Sequence, residues 1–391
     1  MKNNIYYLAI VILTTICIGC SSTSISKTPL NQSRDYYNYI QPNFELYLQE
    51  TKNWLRDNRQ YISSNHHKEL AMNMPFEIIP KTATNKAILF VHGLGDSPYS
   101  FSDLANSMGE QGFRVQTLLL PGHGSKPEDM MQPSYFDWQA IVDHYANLLK
   151  NEYDEVWLGG FSTGANLVTI HAIESGNIQG LLLFSPGFQS QNPYLEKLTP
   201  IIAALWDGYT VEENNIARYN SIPLNGVIAY TKSATILRSK LEKVSVTIPT
   251  LIALSEADSL IDPFAVKDLF NTRFNNKLNR LVWYGENTQS DRNIEQKTML
   301  LEHYRISTGS HMSTIFSPSN QYYGEKAEKI ICENGYSCDA TKRCHDGEQV
   351  WFAAWGFKEA NKIHARLTWN PYYSELESQI SQLVKSSSPW S

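Results

Sequence analysis

The 391-residue sequence lacks an excess of basic residues. It has 33 lysines and arginines against 39 aspartates and glutamates, which gives a formal net charge of −6 at pH 7. A nucleic-acid-binding surface needs clustered positive charge, so the composition argues against a nucleic-acid partner. Charged residues make up only 18% of the chain and hydrophobic residues 42%. This balance excludes a disordered chain, because the apolar fraction is large enough to form a core.

Long hydrophobic runs are also scarce. The apolar stretch from Ile5 to Ile18 is shorter than the ~20 residues that a membrane-spanning helix needs, and it favours an export signal. The residues Gly19–Ser22 resemble a bacterial lipoprotein processing site, which implies a signal peptide over 1–19 and acylation of Cys20. A plain signal peptide and an uncleaved anchor are the alternatives. We therefore expect a cell-envelope protein anchored by lipid to a bacterial membrane, with the outer membrane favoured and the periplasmic or surface side exposed.

Cysteine is rare, with five residues in the chain. Three of them lie close together in the sequence, at Cys332, Cys338 and Cys344. An exported protein meets an oxidising environment, so a disulfide is predicted among these three, although the sequence does not select the pair. The five-residue gaps between them differ from the short spacing of zinc-binding knuckles, and no metal is expected.

Short apolar runs alternate with amphipathic segments through most of the chain. Such alternation is typical of βαβ units and predicts an α/β fold with a doubly wound, mostly parallel sheet. The predicted strands are 87–93, 113–124, 155–160, 180–187, 249–258 and 280–285, and the predicted helices are 99–111, 134–151, 163–175, 263–276 and 371–384.

The domain organisation follows from where this alternation begins and breaks. A polar tether over 20–35 and a helical lead-in over 36–75 precede one catalytic-type domain over 76–391. The pattern is interrupted by two predicted insertions, one over 186–247 and one, containing the cysteines, over 317–369. A further segment of about twenty residues follows Gly285 and is expected to add a strand.

The stretch Gly160-Phe161-Ser162-Thr163-Gly164 lies between a predicted strand and a predicted helix. A serine on such a sharp turn has strained backbone angles and an exposed hydroxyl, and its flanking glycines let strand and helix pass closely. Ser162 is therefore the candidate nucleophile; the alternative is a tight turn with an idle serine.

A serine nucleophile requires a base and an orienting acid, which this motif places later in the chain. Asp258, at the end of the predicted strand 249–258, is the candidate acid, and Asp262 is the alternative. Glu256 comes too early in the chain for this role, because it still lies near the strand. Four histidines follow Asp258, namely His303, His311, His345 and His364. His311 is the candidate base because it lies in a polar, glycine-containing loop.

Two backbone amides are candidates for stabilising an oxyanion. Thr163 begins the helix after the serine, and Leu94 lies in the loop after the first predicted strand. His92 and His123, in "HGLG" and "PGHG", are interpreted as residues that shape these loops and not as the catalytic base.

The segments "FVHGLGDSPYSFSDLANSMGEQGFRVQTLLLPGHG", "GGFSTG" and "PTLIALSEADSLIDP" together resemble the α/β-hydrolases of the monoacylglycerol lipase, lysophospholipase and serine aminopeptidase-like group. The resemblance covers roughly 85–315 and the closing helix. It implies an α/β-hydrolase fold with Ser162 as nucleophile, Asp258 as acid, His311 as base, and the amides of Leu94 and Thr163 as the oxyanion hole. It also implies that 186–247 forms a cap over the site.

The expected activity is hydrolysis of a carboxylic ester with an apolar acyl group, such as an acylglycerol or lysophospholipid, without a cofactor. Apolar residues between Phe188 and Tyr209 suit an acyl chain, because each buried methylene contributes ~0.8 kcal/mol. The alternative is that most of these residues pack the cap onto the sheet. The alternatives are a peptidase or amidase, and a non-catalytic envelope lipoprotein that binds its partner on a hydrolase scaffold.

Overall fold

The computed structural model describes residues 36–194, 198–199, 211–286, 293–335 and 337–387. The predicted signal peptide, the tether 20–35 with Cys20, and most of the apolar cap residues up to Tyr209 lie outside the described residues. Among the helices of these ranges, none is long and apolar enough to cross a membrane.

An eight-stranded sheet runs through the middle of the molecule, in the order β1-β3-β2-β4-β5-β6-β7-β8. Strand β1 is antiparallel to β3, and every other neighbouring pair is parallel. The strands are β1 (Glu77–Ile78), β2 (Lys86–Val91), β3 (Arg114–Leu118), β4 (Glu155–Phe161), β5 (Gly180–Phe184), β6 (Thr250–Ser255), β7 (Arg280–Tyr284) and β8 (Ile294–Lys297), with a separate parallel pair β9 (Trp351–Ala353) and β10 (His364–Arg366).

Helices cover both faces of this sheet. They are α1 (Phe44–Asn58), α2 (His66–Asn73), α3 (Ser102–Glu110), α4 (Tyr135–Glu152), α5 (Thr163–Ser175), α6 (Leu224–Leu241), α7 (Pro263–Arg273), α8 (Cys338–His345) and α9 (Tyr373–Ser387). Helix α4 begins at a capping box formed by Ser134 and Asp137, and α7 begins at Asp262, whose side chain accepts from two backbone amides. These caps satisfy amides that the first turn leaves without partners.

The core consists of two large apolar clusters, one on each face of the sheet. Every residue of β4, β5 and β6 is buried, as expected for central strands covered by helices on both sides. Alternate residues of a strand enter opposite clusters: Leu158 packs with α4 and α5, while Trp157 packs with α3 and α9. The predicted α/β fold with a doubly wound, mostly parallel sheet is confirmed.

Three further features add to this central fold. Strand β8 extends the sheet beyond β7, in the segment where an extra strand was expected. Helix α6 lies within the predicted cap, where the sequence pattern gave no element. Cys332 and Cys344 form a disulfide with Cα atoms 5.7 Å apart, and Cys338 begins α8.

Candidate active site

The turn between β4 and α5 carries the predicted nucleophile. Ser162 has φ 53° and ψ −115°, a conformation that L-residues rarely adopt, and it is partly exposed beside buried neighbours. Its amide donates to the carbonyl of Phe184 and its carbonyl accepts from the amide of Gly187, both at 3.0 Å. The surrounding backbone therefore holds the strained conformation in place, and the serine side chain projects at the carboxyl end of the sheet.

The two glycines that flank this turn are required by close packing. A Cβ atom on Gly160 would lie 2.4 Å from the backbone nitrogen of Ala165, and one on Gly164 would lie 2.0 Å from the carbonyl oxygen of Val91. No L-residue with a side chain fits at such distances from backbone atoms. The spacing of the motif thus follows from the crossing of strand and helix.

Asp258 and His311 meet at the same end of the sheet although 53 positions separate them. Nδ1 of His311 lies 2.6 Å from Oδ2 of Asp258, and both side chains are buried. The other carboxylate oxygen accepts from the amides of Leu260 and Ile261. With its oxygens occupied in this way, the carboxylate favours a proton on Nδ1 and leaves the lone pair of Nε2 available for chemistry.

The loop of His311 is fixed independently of this bond. Ser185, at the end of β5, donates its hydroxyl to the carbonyl of His311 at 2.8 Å. The imidazole packs against the ring of Phe161, with centroids 5.0 Å apart, and Phe161 precedes Ser162 in the chain. The structure therefore brings the predicted acid and base into contact, next to the residue that adjoins the predicted nucleophile.

The alternative acids have other roles. Asp262 caps α7, and Glu256 accepts a hydrogen bond from the indole of Trp283 at 3.1 Å. The alternative bases lie elsewhere: His303 is exposed, His345 pairs with Glu333, and His364 lies in β10 beside the hydroxyl of Ser307.

The loop after β2 approaches the serine closely, since a Cβ atom on Gly93 would lie 3.0 Å from that of Ser162. Its next residue is Leu94, one of the two predicted oxyanion donors; the other, Thr163, begins α5. In the part of the chain that the structure describes, neither amide donates a hydrogen bond to another protein atom. Both groups are therefore available to a ligand at the helix N-terminus.

Two buried imidazoles brace this loop. Nε2 of His92 accepts from the amide of Leu120, and Nε2 of His123 accepts from the amide of Gly95, both at 3.0 Å. Burial lowers the pKa of His92 well below its usual value and that of His123 to about 4. Both rings are therefore neutral near pH 7 and can accept these bonds, in agreement with a loop-shaping role.

Several residues near the site were not predicted from the sequence. Asp96 is buried in the loop after Leu94, and burial raises the pKa of its carboxyl. Ser185 supports the loop of His311, and Arg218 donates to the sulfur of Met312, the residue after His311. The only available signal was the position of Asp96 in "HGLGD"; the other two lie in segments with no recognisable motif. Within the described ranges, no group of three or more His, Cys, Asp or Glu side chains is arranged to hold a metal ion.

Comparison with known proteins identifies the family of the chain. The family model described as "Serine aminopeptidase, S33" matches residues 82–286, just over half of the chain. A thermostable monoacylglycerol lipase from Bacillus sp. (strain H-257) is 23% identical over 181 residues, which cover 45% of this chain and 72% of the lipase.

Two solved structures are also similar. One is from the work on the metagenome-derived lipolytic enzymes LipS and LipT, with 20% identity, a TM-score of 0.48, and coverage of 55% of this chain and 87% of the other. The second is the monoacylglycerol lipase of Paleococcus ferrophilus, with 17% identity, a TM-score of 0.45, and coverage of 57% and 88%. On the family match, the chain belongs to the serine aminopeptidase (S33) family and is a serine hydrolase of the α/β-hydrolase type, similar to lipases and esterases.

Proposed function

We propose that the protein hydrolyses carboxylic esters with an apolar acyl group, through Ser162, His311 and Asp258. The observation that carries this proposal is the 2.6 Å contact between Asp258 and His311, at the sheet end where Ser162 occupies its strained turn. The relative from Bacillus sp. is a monoacylglycerol lipase, which supports an ester substrate.

In the proposed mechanism, Nε2 of His311 accepts the hydroxyl proton of Ser162 as the oxygen attacks the ester carbonyl. Asp258 holds the imidazole in the required tautomer and stabilises the imidazolium that forms. The amides of Leu94 and Thr163 donate to the oxyanion of the tetrahedral intermediate. His311 then protonates the leaving alcohol, and water activated by the same histidine releases the acid from the acyl-enzyme.

Reaction with a fluorophosphonate probe tests the nucleophile directly. Wild-type protein should be labelled at Ser162, and Ser162→Ala should not be labelled. Labelling that persists in Ser162→Ala, or no labelling of folded wild type, would overturn the proposal. A series of 4-nitrophenyl esters then tests the acyl preference, since a catalytic efficiency that rises with chain length is expected for an apolar acyl site.

A peptidase or amidase activity is the second candidate, because the matching family model is described as a serine aminopeptidase. The same nucleophile and base serve amide hydrolysis, which needs protonation of an amine leaving group. Turnover of aminoacyl 4-nitroanilides faster than that of the nitrophenyl esters would favour this candidate. A non-catalytic binding lipoprotein would be supported if the protein hydrolysed no short-chain ester, or if Ser162→Ala and His311→Ala left turnover unchanged.

We also propose that Cys20 is acylated and anchors the protein in the cell envelope. The support is the sequence alone, namely an apolar run followed by Gly19, Cys20 and small polar residues. Cys20→Ser should release the protein from the membrane fraction and abolish incorporation of labelled palmitate. An unchanged distribution between membrane and soluble fractions would contradict the anchor.

A further inference from the structure

The segment Val211–Ile222, here called the strap, precedes α6 within the predicted cap and lies against the lead-in segment of the chain. The carbonyl of Ile216 accepts from Nη2 of Arg59 at 3.1 Å and from Nδ2 of Asn73 at 2.7 Å. Arg59 is itself held by a buried ion pair with Glu69 at 2.8 Å. The strap is therefore tied to α2 and to the residues that precede it.

The strap is held from a second direction by the cysteine-containing segment. Oδ1 of Asn215 accepts from the hydroxyls of Tyr322 and Tyr323, at 3.3 and 2.7 Å. The amide of Ile216 donates to the hydroxyl of Tyr322 at 3.1 Å, and Lys329 donates to the carbonyl of Asn214. Both supporting segments lie outside residues 82–286, the region that matches the family model.

A third set of contacts joins the strap to the candidate site. The amide of Tyr219 donates to the carbonyl of Gly95 at 2.7 Å, directly after the predicted oxyanion donor Leu94. Ile222 packs on Gly95, where a Cβ atom would lie 2.2 Å from its Cδ1. The residue before Tyr219 is Arg218, so its backbone is fixed close to the oxyanion loop.

The guanidinium of Arg218 reaches the loop of the predicted base. Its Nη1 lies 3.1 Å from the sulfur of Met312, which follows His311. A thioether is a weak acceptor, whereas a guanidinium carries five N–H donors arranged for carboxylate or phosphate oxygens. Among the described residues, no carboxylate lies within ion-pair distance of Arg218, although the side chain is only partly exposed.

The nearby carboxylate of Asp96 does not occupy the N–H donors of Arg218. Asp96 is 5% exposed, and its carboxylate accepts from the amide of Ser97 at 3.0 Å. Burial raises the pKa of the Asp96 carboxyl, while the charges of Arg218 and His311 partly oppose that rise. Asp96 thus lies near Arg218 without forming a direct ion pair with it, and the guanidinium keeps N–H donors for another anion.

We propose that Arg218 binds an anionic oxygen group, a carboxylate or a phosphate, on the substrate of this site. The inference rests on the proposed esterase function and makes its substrate class an anionic acyl ester. The strap fixes the backbone of Arg218 before the substrate arrives, so less conformational entropy is lost on binding. Charge-assisted, bidentate hydrogen bonds to the guanidinium then favour the anionic ester over a neutral one of the same length.

Matched ester pairs test this recognition and locate the anion. The acyl side is tested with the mono-4-nitrophenyl ester of glutaric acid against 4-nitrophenyl pentanoate. The alcohol side is tested with a 1-acylglycerol phosphate against the corresponding 1-acylglycerol. The quantity measured is the ratio of kcat/KM for the anionic ester to that for the neutral ester. We expect Arg218→Ala to lower this ratio about 10- to 100-fold for one pair, and Arg218→Lys to restore part of it.

Lys243→Ala is the matched control, because it removes one exposed positive charge just after α6 and should leave the ratio within about twofold of wild type. In wild type the ratio should also fall as NaCl is raised from about 0.05 to about 0.5 M, a measurement that does not depend on the folding of a variant. A ratio insensitive to salt, or changed equally by Arg218→Ala and Lys243→Ala, would overturn the inference. If wild type hydrolyses no ester, the proposed function fails first; if it hydrolyses both through Ser162 without this charge dependence, only the role of Arg218 fails.

Discussion

Two sets of Ser, His and Asp side chains can be compared in the part of the chain that the structure describes, and one of them lies at the candidate site. In the first, His311 contacts Asp258 at 2.6 Å beside the turn of Ser162. In the second, Nδ1 of His171 lies 2.7 Å from Oδ1 of Asp143, and its Nε2 lies 2.9 Å from the hydroxyl of Ser175. Judged by hydrogen-bond distances alone, the second array is the more complete.

The difference lies in the backbone. Ser175 is in the last turn of α5, and its hydroxyl also lies 2.9 Å from the carbonyl of His171, a usual acceptor for a helical serine. Ser162 has φ 53° and projects from a strand end, next to the amides of Leu94 and Thr163. Backbone strain and available amides, more than the hydrogen-bond pattern of the side chains, therefore set the proposed nucleophile Ser162 apart from Ser175.

The largest expected effect separates the two serines. Ser162→Ala should lower kcat for a short-chain ester by about 10⁴-fold or more, because the proposed nucleophile is removed. Ser175→Ala should change kcat by less than about twofold, since the lost hydroxyl bonds within its own helix. Steady-state hydrolysis of 4-nitrophenyl butyrate measures both variants. Equal losses of kcat in the two variants would contradict the assignment of Ser162 as the nucleophile.

The two aspartates should differ in the property they affect. Asp258→Asn should lower kcat by about 10⁴-fold, because an amide favours the wrong tautomer of His311. Asp143→Asn should lower the free energy of unfolding by about 1 kcal/mol and leave kcat close to wild type, because Asp143 is part of the surface of α4. Parallel measurements of kcat and urea unfolding provide the test. A large kcat loss in Asp143→Asn would contradict this division of roles.

The two glycines that bound α5 extend the comparison to packing. Gly164→Ala should lower the free energy of unfolding by about 3 kcal/mol or more, because the new Cβ meets the carbonyl of Val91. In Gly176→Ala, no atom lies within 4 Å of the new Cβ. The φ of 57° at this position is nevertheless unfavourable for alanine, so about 1–2 kcal/mol of backbone strain is expected. Chemical denaturation of both variants gives the two values. A smaller loss in Gly164→Ala than in Gly176→Ala would contradict the crossing geometry.

The fourth prediction concerns His123, a buried histidine without a catalytic assignment, in contrast to His311. Burial lowers the pKa of His123 from 6.5 to about 4, so the unfolded chain takes up a proton at a higher pH than the folded one. Its stabilising contribution is therefore fully present above pH 6.5 and is lost as the pH falls towards 4, by about 3 kcal/mol at most. His123→Gln keeps an acceptor for the amide of Gly95 and should flatten the pH dependence of unfolding over this interval. An unchanged slope would mean that His123 is protonated in the folded protein at higher pH.

Much of the central fold could be predicted from the sequence, because the sequence signals of its strands and helices are local. The strand at 155–160 and the helix at 163–175 were predicted almost to the residue, since an apolar run ends at a glycine-flanked turn. Helix α6 and strands β9 and β10 were not predicted, because their residues follow neither a strict helical nor a strict alternating pattern. The predicted domain boundaries at 186, 247, 317 and 369 remain predictions.

The local chemistry of the sequence determined the order of elements, the turn at Ser162 and the small set of candidate acids and bases, because those features depend on residues close together in the chain. Tertiary structure decided which aspartate meets His311, which cysteine pairs with Cys332, and how the strap places Arg218 against Met312, beside His311. Each of these contacts joins residues separated by 12 to 94 positions. Such contacts depend on how the strands and loops are arranged in space, and a single sequence carries no local signal for that arrangement.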